Sequence, residues 1–158
     1  MAIIARRVRQ AGVYFVTTDT WERHALFINP VLASIVAEQI VSCRDRGFYK
    51  LHAFVLMPEH LHMLLTPGDD TTIEKAVQMI KGGSAHRIGM EKPQEFPIWH
   101  RGFHDRWIRD ADQYFNAKSY IEQNPVKAKL AETAEQFAWS SANGKVVLDP
   151  SRYESASG

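Results

Sequence analysis

Two histidines separated by one residue are the first candidates for chemistry in this sequence. His60-Leu61-His62 follows Pro58-Glu59 and begins an apolar run. Because side chains alternate between the two faces of a β-strand, both imidazoles are expected on one face and Leu61 on the other. Two neutral imidazoles on one face supply half of a metal site. The pattern is more often typical of histidines on the solvent side of a half-buried strand, so its meaning depends on the rest of the chain.

The residues around this pair do not fit three other metal-hydrolase patterns. A lactamase-type hydrolase needs Asp-His two residues further on, where this chain has Leu64-Leu65. A zinc protease needs His-Glu-x-x-His on a helix, and a two-histidine phosphodiesterase needs a hydroxyl residue at the position of Met63 or His62. The sequence therefore fits none of these three patterns.

A tyrosine and an asparagine supply a second candidate pair. Tyr120 and Asn124 are four residues apart, which places them on one face of a helix and about one turn from each other. Pro125 disfavours regular helical geometry at Asn124, so we expect the helix to end or kink there and the Asn124 amide to be able to reach an ion. Taken singly, Tyr120 also fits a core tyrosine and Asn124 a helix-ending residue. Tyr114, with Ala117 and Ile121 at helical spacing, is the better core residue.

The elements that must position these residues indicate an α+β fold. The order strand, helix, strand, strand, helix, strand, helix predicts a ferredoxin-like (RRM-like) antiparallel sheet with two helices on one face and a C-terminal helix that carries Tyr120. We expect a single domain over residues 1–150 and a flexible tail at 151–158. The predicted strands are 12–19, 52–57, 60–65 and 98–108, and the predicted helices are 30–46, one capped by Thr71 or Thr72, and 110–124.

Composition sets limits on location and partners. The chain has 158 residues, 45% of them hydrophobic, and a net charge of +1, so any basic surface must be local. Cys43 is the single cysteine and cannot close an internal disulfide, which favours a reducing, cytoplasmic location. The sequence also has no signal-peptide pattern and no run of about 18 apolar residues that could span a membrane.

Local basic stretches are the candidate nucleic-acid contacts. An N-terminal arm carries Arg6, Arg7 and Arg9, and Lys127 lies shortly after Tyr120 in the sequence. A third group, with cations and aromatic rings interleaved as in single-strand binding surfaces, comprises Trp99, His100, Arg101, Phe103, His104, Arg106, Trp107 and Arg109. The alternative is that these aromatic rings belong to the core and the arginines lie along its surface.

Three segments together resemble a known family. Met57-Pro-Glu-His-Leu-His62, Phe103-His-Asp-Arg-Trp-Ile-Arg109 and Tyr120-Ile-Glu-Gln-Asn-Pro-Val-Lys127 resemble the insertion-sequence HUH transposases with a single catalytic tyrosine, particularly the REP-associated tyrosine transposase branch. The resemblance covers roughly residues 12–139. Two departures stand out: Asn124 replaces the glutamine of some members, and Trp107 replaces a common histidine.

The resemblance implies a metal-dependent nickase-ligase. In its terms His60, His62 and Asn124 hold a divalent cation, Mg²⁺ or Mn²⁺, and Tyr120 is the nucleophile that forms a 5′-phosphotyrosine. The substrate is expected to be single-stranded or hairpin DNA, contacted by Arg6, Arg7, Arg101, Arg106, Arg109 and Lys127. Mobile-element relatives often form dimers and repeat-associated ones need not, which leaves a homodimer open.

Two other functions remain open at this point. A non-catalytic ferredoxin-like RNA- or DNA-binding module would use sheet-face aromatics and would need neither the histidine pair nor Tyr120. A metal phosphodiesterase would use water instead of the tyrosine as nucleophile.

Overall fold

A computed structural model describes residues 9–154. Four strands and three α-helices follow one another in the predicted order. Their bounds are β1 Tyr14–Asp19, α1 Pro30–Asp45, β2 Tyr49–Leu56, β3 His60–Pro67, α2 Ile73–Glu91, β4 His104–Trp107 and α3 Ala111–Lys127. None of the helices formed by residues 9–154 combines the length and the apolarity that crossing a bilayer requires.

The strands form one antiparallel sheet in the order β2-β3-β1-β4. Strands β3 and β1 are therefore central, and they pair along the whole of β1, from Tyr14 opposite Leu65 to Asp19 opposite His60. This order, with two helices on one face and a third on the other, confirms the predicted ferredoxin-like arrangement.

The two faces of the sheet hold two separate apolar clusters. Along β3, Leu61, Met63 and Leu65 belong to the cluster that is covered by α1 and α2. Leu64 belongs to the cluster on the opposite face, which is covered by α3 through Tyr114, Ala117 and Ile121. Because side chains alternate along a strand, His62 lies on the α3 face together with Leu64.

Local signals explain where the helices begin. The Asn29 side chain accepts hydrogen bonds from the backbone of Val31 and Leu32, and Pro30 occupies the first position of α1. Thr72 caps α2 in the same way, through Lys75. Asp110 caps α3, as predicted, by accepting from the backbone of Gln113.

The helix α3 does not end at Asn124, which corrects the prediction. It continues through Pro125 to Lys127. A proline inside a helix removes the hydrogen bond of its own nitrogen and crowds the carbonyl four residues earlier, but it leaves the N–H groups of the following residues free to bond, and Pro125 stands within the last turn. The Pro125 ring is buried, and the helix closes through the Ala128 N–H, which donates to the Asn124 carbonyl.

The fourth strand is much shorter than predicted. The regular ladder with β1 covers only His104–Trp107. Before it, residues 98–100 pair with residues 19–21 through an isolated antiparallel bridge between Thr20 and Trp99 and two backbone hydrogen bonds. The Trp99 indole donates to the Ser84 hydroxyl at 3.0 Å, so this ring is a core residue and not a nucleic-acid contact. The predicted strand is therefore interrupted at residues 101–103.

The segment after residue 150 is packed for at least four residues. Glu154 accepts hydrogen bonds from Tyr114 and from Lys118 on α3, and the Tyr153 hydroxyl donates to the Ile108 carbonyl. Ser151 is buried. Residues 151–154 therefore belong to the domain, which differs from the predicted start of the flexible tail at Ser151.

Candidate active site

The histidine pair begins β3, one of the two central strands. The rings of His60 and His62 lie on one face of the sheet with their centroids 4.6 Å apart, as the alternation predicts. His62 stands opposite Thr17 on β1 and Val55 on β2, so strands flank it on both sides. The pair is thus carried by the most rigid part of the sheet.

Both imidazoles have a protein partner at Nδ1. His60 Nδ1 lies 2.8 Å from Glu59 Oε1, and His62 Nδ1 lies 2.8 Å from Thr17 Oγ1. Within residues 9–154 neither Nε2 atom has a hydrogen-bond partner. The Nε2 atoms are therefore the nitrogens available to a ligand.

Burial keeps His62 neutral. Its side chain is 6% exposed, and this burial, with smaller contributions from His60 and Arg23, lowers the pKa of His62 to about 3. A metal ion binds the neutral imidazole, and this ring is in that form at physiological pH.

Tyr120 lies over this pair. Its side chain is 45% exposed, and its ring is edge-on to His62 with centroids 5.4 Å apart. Tyr114, in contrast, is fully buried and donates its hydroxyl to Glu154. Of the two tyrosines on α3, only Tyr120 presents its phenol to solvent, as predicted.

Asn124 follows Tyr120 by one turn of α3. It is half-buried, and its side-chain amide has no hydrogen-bond partner among residues 9–154. An amide oxygen without an internal partner remains available to an ion. The role of Asn124 as a metal ligand stays a prediction, and the continuation of the helix past this residue does not contradict it.

The donor atoms decide what kind of metal site this could be. Residues 9–154 contain no group of three or more His, Cys, Asp or Glu side chains placed to hold a metal ion. A site at the histidine pair would combine two imidazole nitrogens with the Asn124 amide oxygen and leave positions for substrate oxygens. This mixed, uncharged set fits a hard divalent cation that is completed by phosphate.

Phe15 is a part of the site that the sequence did not reveal. Its ring centroid lies 5.4 Å from that of His62 and 6.1 Å from that of Tyr120. The Arg106 guanidinium carbon lies 5.5 Å from the same Phe15 centroid. Alternation along β1 places Phe15 and Thr17 on one face. Only the packing of α3 shows that this is the histidine face.

The predicted basic residues divide into three groups. Arg106 and Lys127 lie at the site, against Phe15 and Tyr120 respectively. Arg101 and Arg109 are exposed on either side of β4, without a contact to the histidines. Arg6 and Arg7 lie outside the described residues.

Arg9 does not belong to a free basic arm. It forms ion pairs with Asp105 on β4 at 2.8 Å and with Glu74 on α2 at 2.6 Å. Its guanidinium therefore ties the start of the described chain to the sheet and is not available to a phosphate.

Residues 11–124 match the family model described as IS200-like transposase. The chain belongs to this family. The match includes His60, His62, Tyr120 and Asn124, and it confirms the resemblance seen in the sequence. Membership places the chain among enzymes that bind and process DNA.

Two relatives of the IS200-like chain extend this result. The REP-associated tyrosine transposase of Escherichia coli is 29% identical over 139 residues, which cover 87% of this chain and 81% of the relative. A solved REP-associated tyrosine transposase, bound to a REP hairpin, superimposes with a TM-score of 0.74 at 24% identity and covers 95% of this chain and 89% of its own. The second likeness supports the fold.

Proposed function

We propose that this transposase cleaves and rejoins single-stranded DNA by transesterification, with Tyr120 as the nucleophile. The observation that carries the proposal is the position of Tyr120, a solvent-accessible phenol whose ring lies 5.4 Å from that of His62. The same helix buries its other tyrosine, Tyr114. Family membership and accessibility therefore favour the same residue.

The reaction exchanges one phosphodiester for another. The Tyr120 oxygen attacks the scissile phosphorus, and the bond from phosphorus to the 3′-oxygen of the upstream nucleotide breaks. The products are a 5′-phosphotyrosine and a strand with a 3′-hydroxyl. Because the ester bond is conserved, the 3′-hydroxyl of a second strand can reverse the reaction and join the ends without an external energy source.

We further propose that His60, His62 and Asn124 hold Mg²⁺ or Mn²⁺. The ion would neutralise and orient the scissile phosphate next to Tyr120. Support comes from the two Nε2 atoms without internal partners and from the neutral state of His62. Since the three donors carry no charge, we expect the ion to bind weakly until DNA contributes its oxygens.

The attack also moves a proton. A phenol is almost wholly protonated at neutral pH, so its proton must leave to solvent as attack proceeds, and the departing 3′-oxygen takes up a proton from solvent. A cation lies beside the nucleophile, since Lys127 Nζ is 5.6 Å from the centroid of the Tyr120 ring. We propose that this cation attracts a phosphate oxygen of the bound DNA.

The DNA is proposed to lie along the α3 face of the sheet. Arg106 is exposed and can pair with a backbone phosphate, and the neighbouring Phe15 ring offers an apolar surface to a base. The solved relative is bound to a hairpin. We propose that hairpin or repeat DNA is also the substrate here.

The test uses labelled single-stranded hairpin DNA with purified protein and its Tyr120→Phe variant, with and without Mn²⁺. Tyr114→Phe is the matched control, since it makes the same chemical change on the same helix. A metal-dependent protein–DNA adduct on a denaturing gel is expected for the unmodified protein and for Tyr114→Phe, and not for Tyr120→Phe.

Other outcomes identify the alternatives. Released DNA fragments without an adduct, produced equally by Tyr120→Phe, would indicate hydrolysis by water and refute the tyrosine mechanism. Tight hairpin binding without any cleavage across a varied hairpin library would instead favour the non-catalytic binding module.

A further inference from the structure

A carboxylate lies between the histidine pair and an arginine from another loop. Glu59 Oε1 is 2.8 Å from His60 Nδ1 and 3.5 Å from the Arg23 guanidinium. Arg23 also lies 3.1 Å from Asp19, which stands opposite His60 in the sheet. Arg23 therefore bridges two carboxylates on either side of His60.

The loop that carries Arg23 has an unusual backbone. Glu22 and Arg23 have φ values of 50° and 54°, in the left-handed region that residues with a Cβ rarely adopt. Two successive residues of this kind persist only when the surrounding structure holds them. The strain therefore needs compensating contacts.

Those contacts reach the turn that carries Glu59. The Thr20 N–H and hydroxyl both donate to the Glu59 carbonyl, at 3.0 and 3.1 Å. The Phe27 N–H donates to the Pro58 carbonyl at 3.1 Å. The strained loop therefore contacts the turn just before His60 through hydrogen bonds to its backbone and through the Arg23 side chain.

We propose that Glu59 and Arg23 are positioning residues that hold His60 with its proton on Nδ1 and its Nε2 lone pair toward the ion. An ionised carboxylate only accepts hydrogen bonds, so a neutral imidazole that bonds to it must donate from Nδ1. The Thr17 hydroxyl at His62 can donate or accept and imposes no such choice. Glu59 therefore determines the tautomer of His60, and Arg23 holds the Glu59 carboxylate in position.

The arrangement also supplies charge that the donor set lacks. Two imidazoles and an amide are neutral, whereas a carboxylate behind a ligand makes that ligand a stronger donor. This role rests on the proposed metal-dependent function. The tautomer itself exists without metal and can be measured independently.

The first measurement is the tautomer of His60 by long-range ¹H–¹⁵N NMR on metal-free protein at about pH 8.5, roughly two units above the ordinary histidine pKa. We expect the Nδ1–H form in the unmodified protein and a shift toward Nε2–H in Glu59→Ala. Glu59→Gln, which keeps the side-chain shape but can donate as well as accept, is expected to populate both forms. Glu22→Gln is the control, because Glu22 is on the Arg23 loop and its ion pair is with His24.

The second measurement is Mn²⁺ affinity by electron paramagnetic resonance on the same proteins. We expect Glu59→Ala to bind about 10- to 100-fold more weakly and Glu22→Gln to be unchanged. Arg23→Gly is expected to weaken binding by a smaller factor, since glycine adopts the positive φ without strain and only the guanidinium is lost.

Two results would overturn the proposal. One is a His60 that keeps its Nδ1–H form in Glu59→Ala, and the other is an equal change of tautomer in Glu22→Gln. A third result separates the two proposals: the unmodified protein shows the Nδ1–H form, Glu59→Ala loses it, and neither protein binds Mn²⁺. In that case the metal-dependent function fails, and Glu59 and Arg23 have no role in metal binding. The hydrogen bond from His60 to Glu59 is still confirmed.

Discussion

The ring of Tyr120 is edge-on to the ring of His62, although one residue comes from α3 and the other from the centre of the sheet. Phe15 completes this aromatic group from β1 and contacts both rings. The phenol of the proposed nucleophile and the imidazole of a proposed ligand thus share one packed environment. A change at either residue therefore affects a small group of neighbours that can be tested one at a time.

The two tyrosines of α3 should differ in their effect on stability. Tyr114 donates its hydroxyl to the Glu154 carboxylate, so Tyr114→Phe is expected to lower the free energy of unfolding by about 1–3 kcal/mol. The Tyr120 hydroxyl has no such partner within residues 9–154, and Tyr120→Phe is expected to leave stability unchanged within about 0.5 kcal/mol. Urea unfolding measures both. Equal losses would show that Tyr120 is also a structural residue.

Charge at Asn124 should control affinity for the ion. Asn124→Asp adds a negative oxygen ligand and is expected to tighten Mn²⁺ binding in the absence of DNA roughly tenfold, whereas Asn124→Leu should weaken it. Gln123→Glu adds the same charge to the neighbouring exposed position and is the control. Titration with Mn²⁺ monitored by paramagnetic resonance decides the question. If Gln123→Glu tightens binding as much as Asn124→Asp, the amide is not a direct ligand.

Arg106 should contribute one phosphate contact. In Arg106→Ala we expect weaker binding of single-stranded DNA and a salt dependence that is flatter by about one released counterion. Arg87→Ala is the control, since Arg87 lies on α2 and pairs with Glu38 at 2.6 Å on the other side of the sheet. Fluorescence anisotropy at several salt concentrations gives both slopes. An unchanged slope in Arg106→Ala would exclude a phosphate contact at this residue.

Acid should destabilise the fold partly through His52. Its imidazole is buried between the Asp149 carbonyl and the Thr66 hydroxyl, and this burial lowers its pKa below the ordinary value of 6.5. The unfolded chain therefore binds a proton that the folded chain does not, so stability is complete above about pH 6.5 and falls as the pH drops toward the folded pKa.

The substitution His52→Gln should make this loss of stability below pH 6.5 smaller. Guanidinium unfolding at a series of pH values measures it, and His86→Gln, at an exposed position of α2, is the control. His62 contributes in the same direction to every protein in the series and does not affect the comparison. Parallel curves for all three proteins would show that His52 does not titrate between the two states.

Two adjacent glycines in α2 should respond in opposite directions to alanine. A Cβ at Gly83 would overlap the buried Gln39 side chain, coming within 2.6 Å of its Cδ, and would displace the hydrogen bond from Gln39 to the Met79 carbonyl. We expect Gly83→Ala to cost about 1–3 kcal/mol. A Cβ at Gly82 meets no atom within 4 Å, and Gly82→Ala should stabilise the helix by up to about 1 kcal/mol. Thermal unfolding of both variants provides the comparison, and a stabilised Gly83→Ala would contradict the packing argument.

Much of the fold could be predicted because it depends on local signals. Asn29-Pro30, Thr72 and Asp110 mark the starts of the three helices, and each cap is observed. The errors occur where a distant partner decides. The Trp99 ring packs in the core because Ser84 on α2 accepts its indole N–H, and residues 151–154 are packed because Tyr114 and Lys118 bind Glu154.

For the site, spacing along the chain was enough to predict which residues lie together within one element. Alternation places His60 and His62 on one face, and helical periodicity places Tyr120 and Asn124 one turn apart. Both relationships hold within one element, so no knowledge of packing is needed to state them.

The groups that surround those residues are known only from long-range contacts. They place Phe15 beside Tyr120 and Arg106 beside Phe15, assign Arg9 to an internal ion pair, and link Arg23 to His60 through Glu59. These contacts join residues from different elements, and they depend on which face α3 covers and on how the loop after β1 folds over the turn before β3. Local periodicity carries no information about either, because both are set by long-range packing.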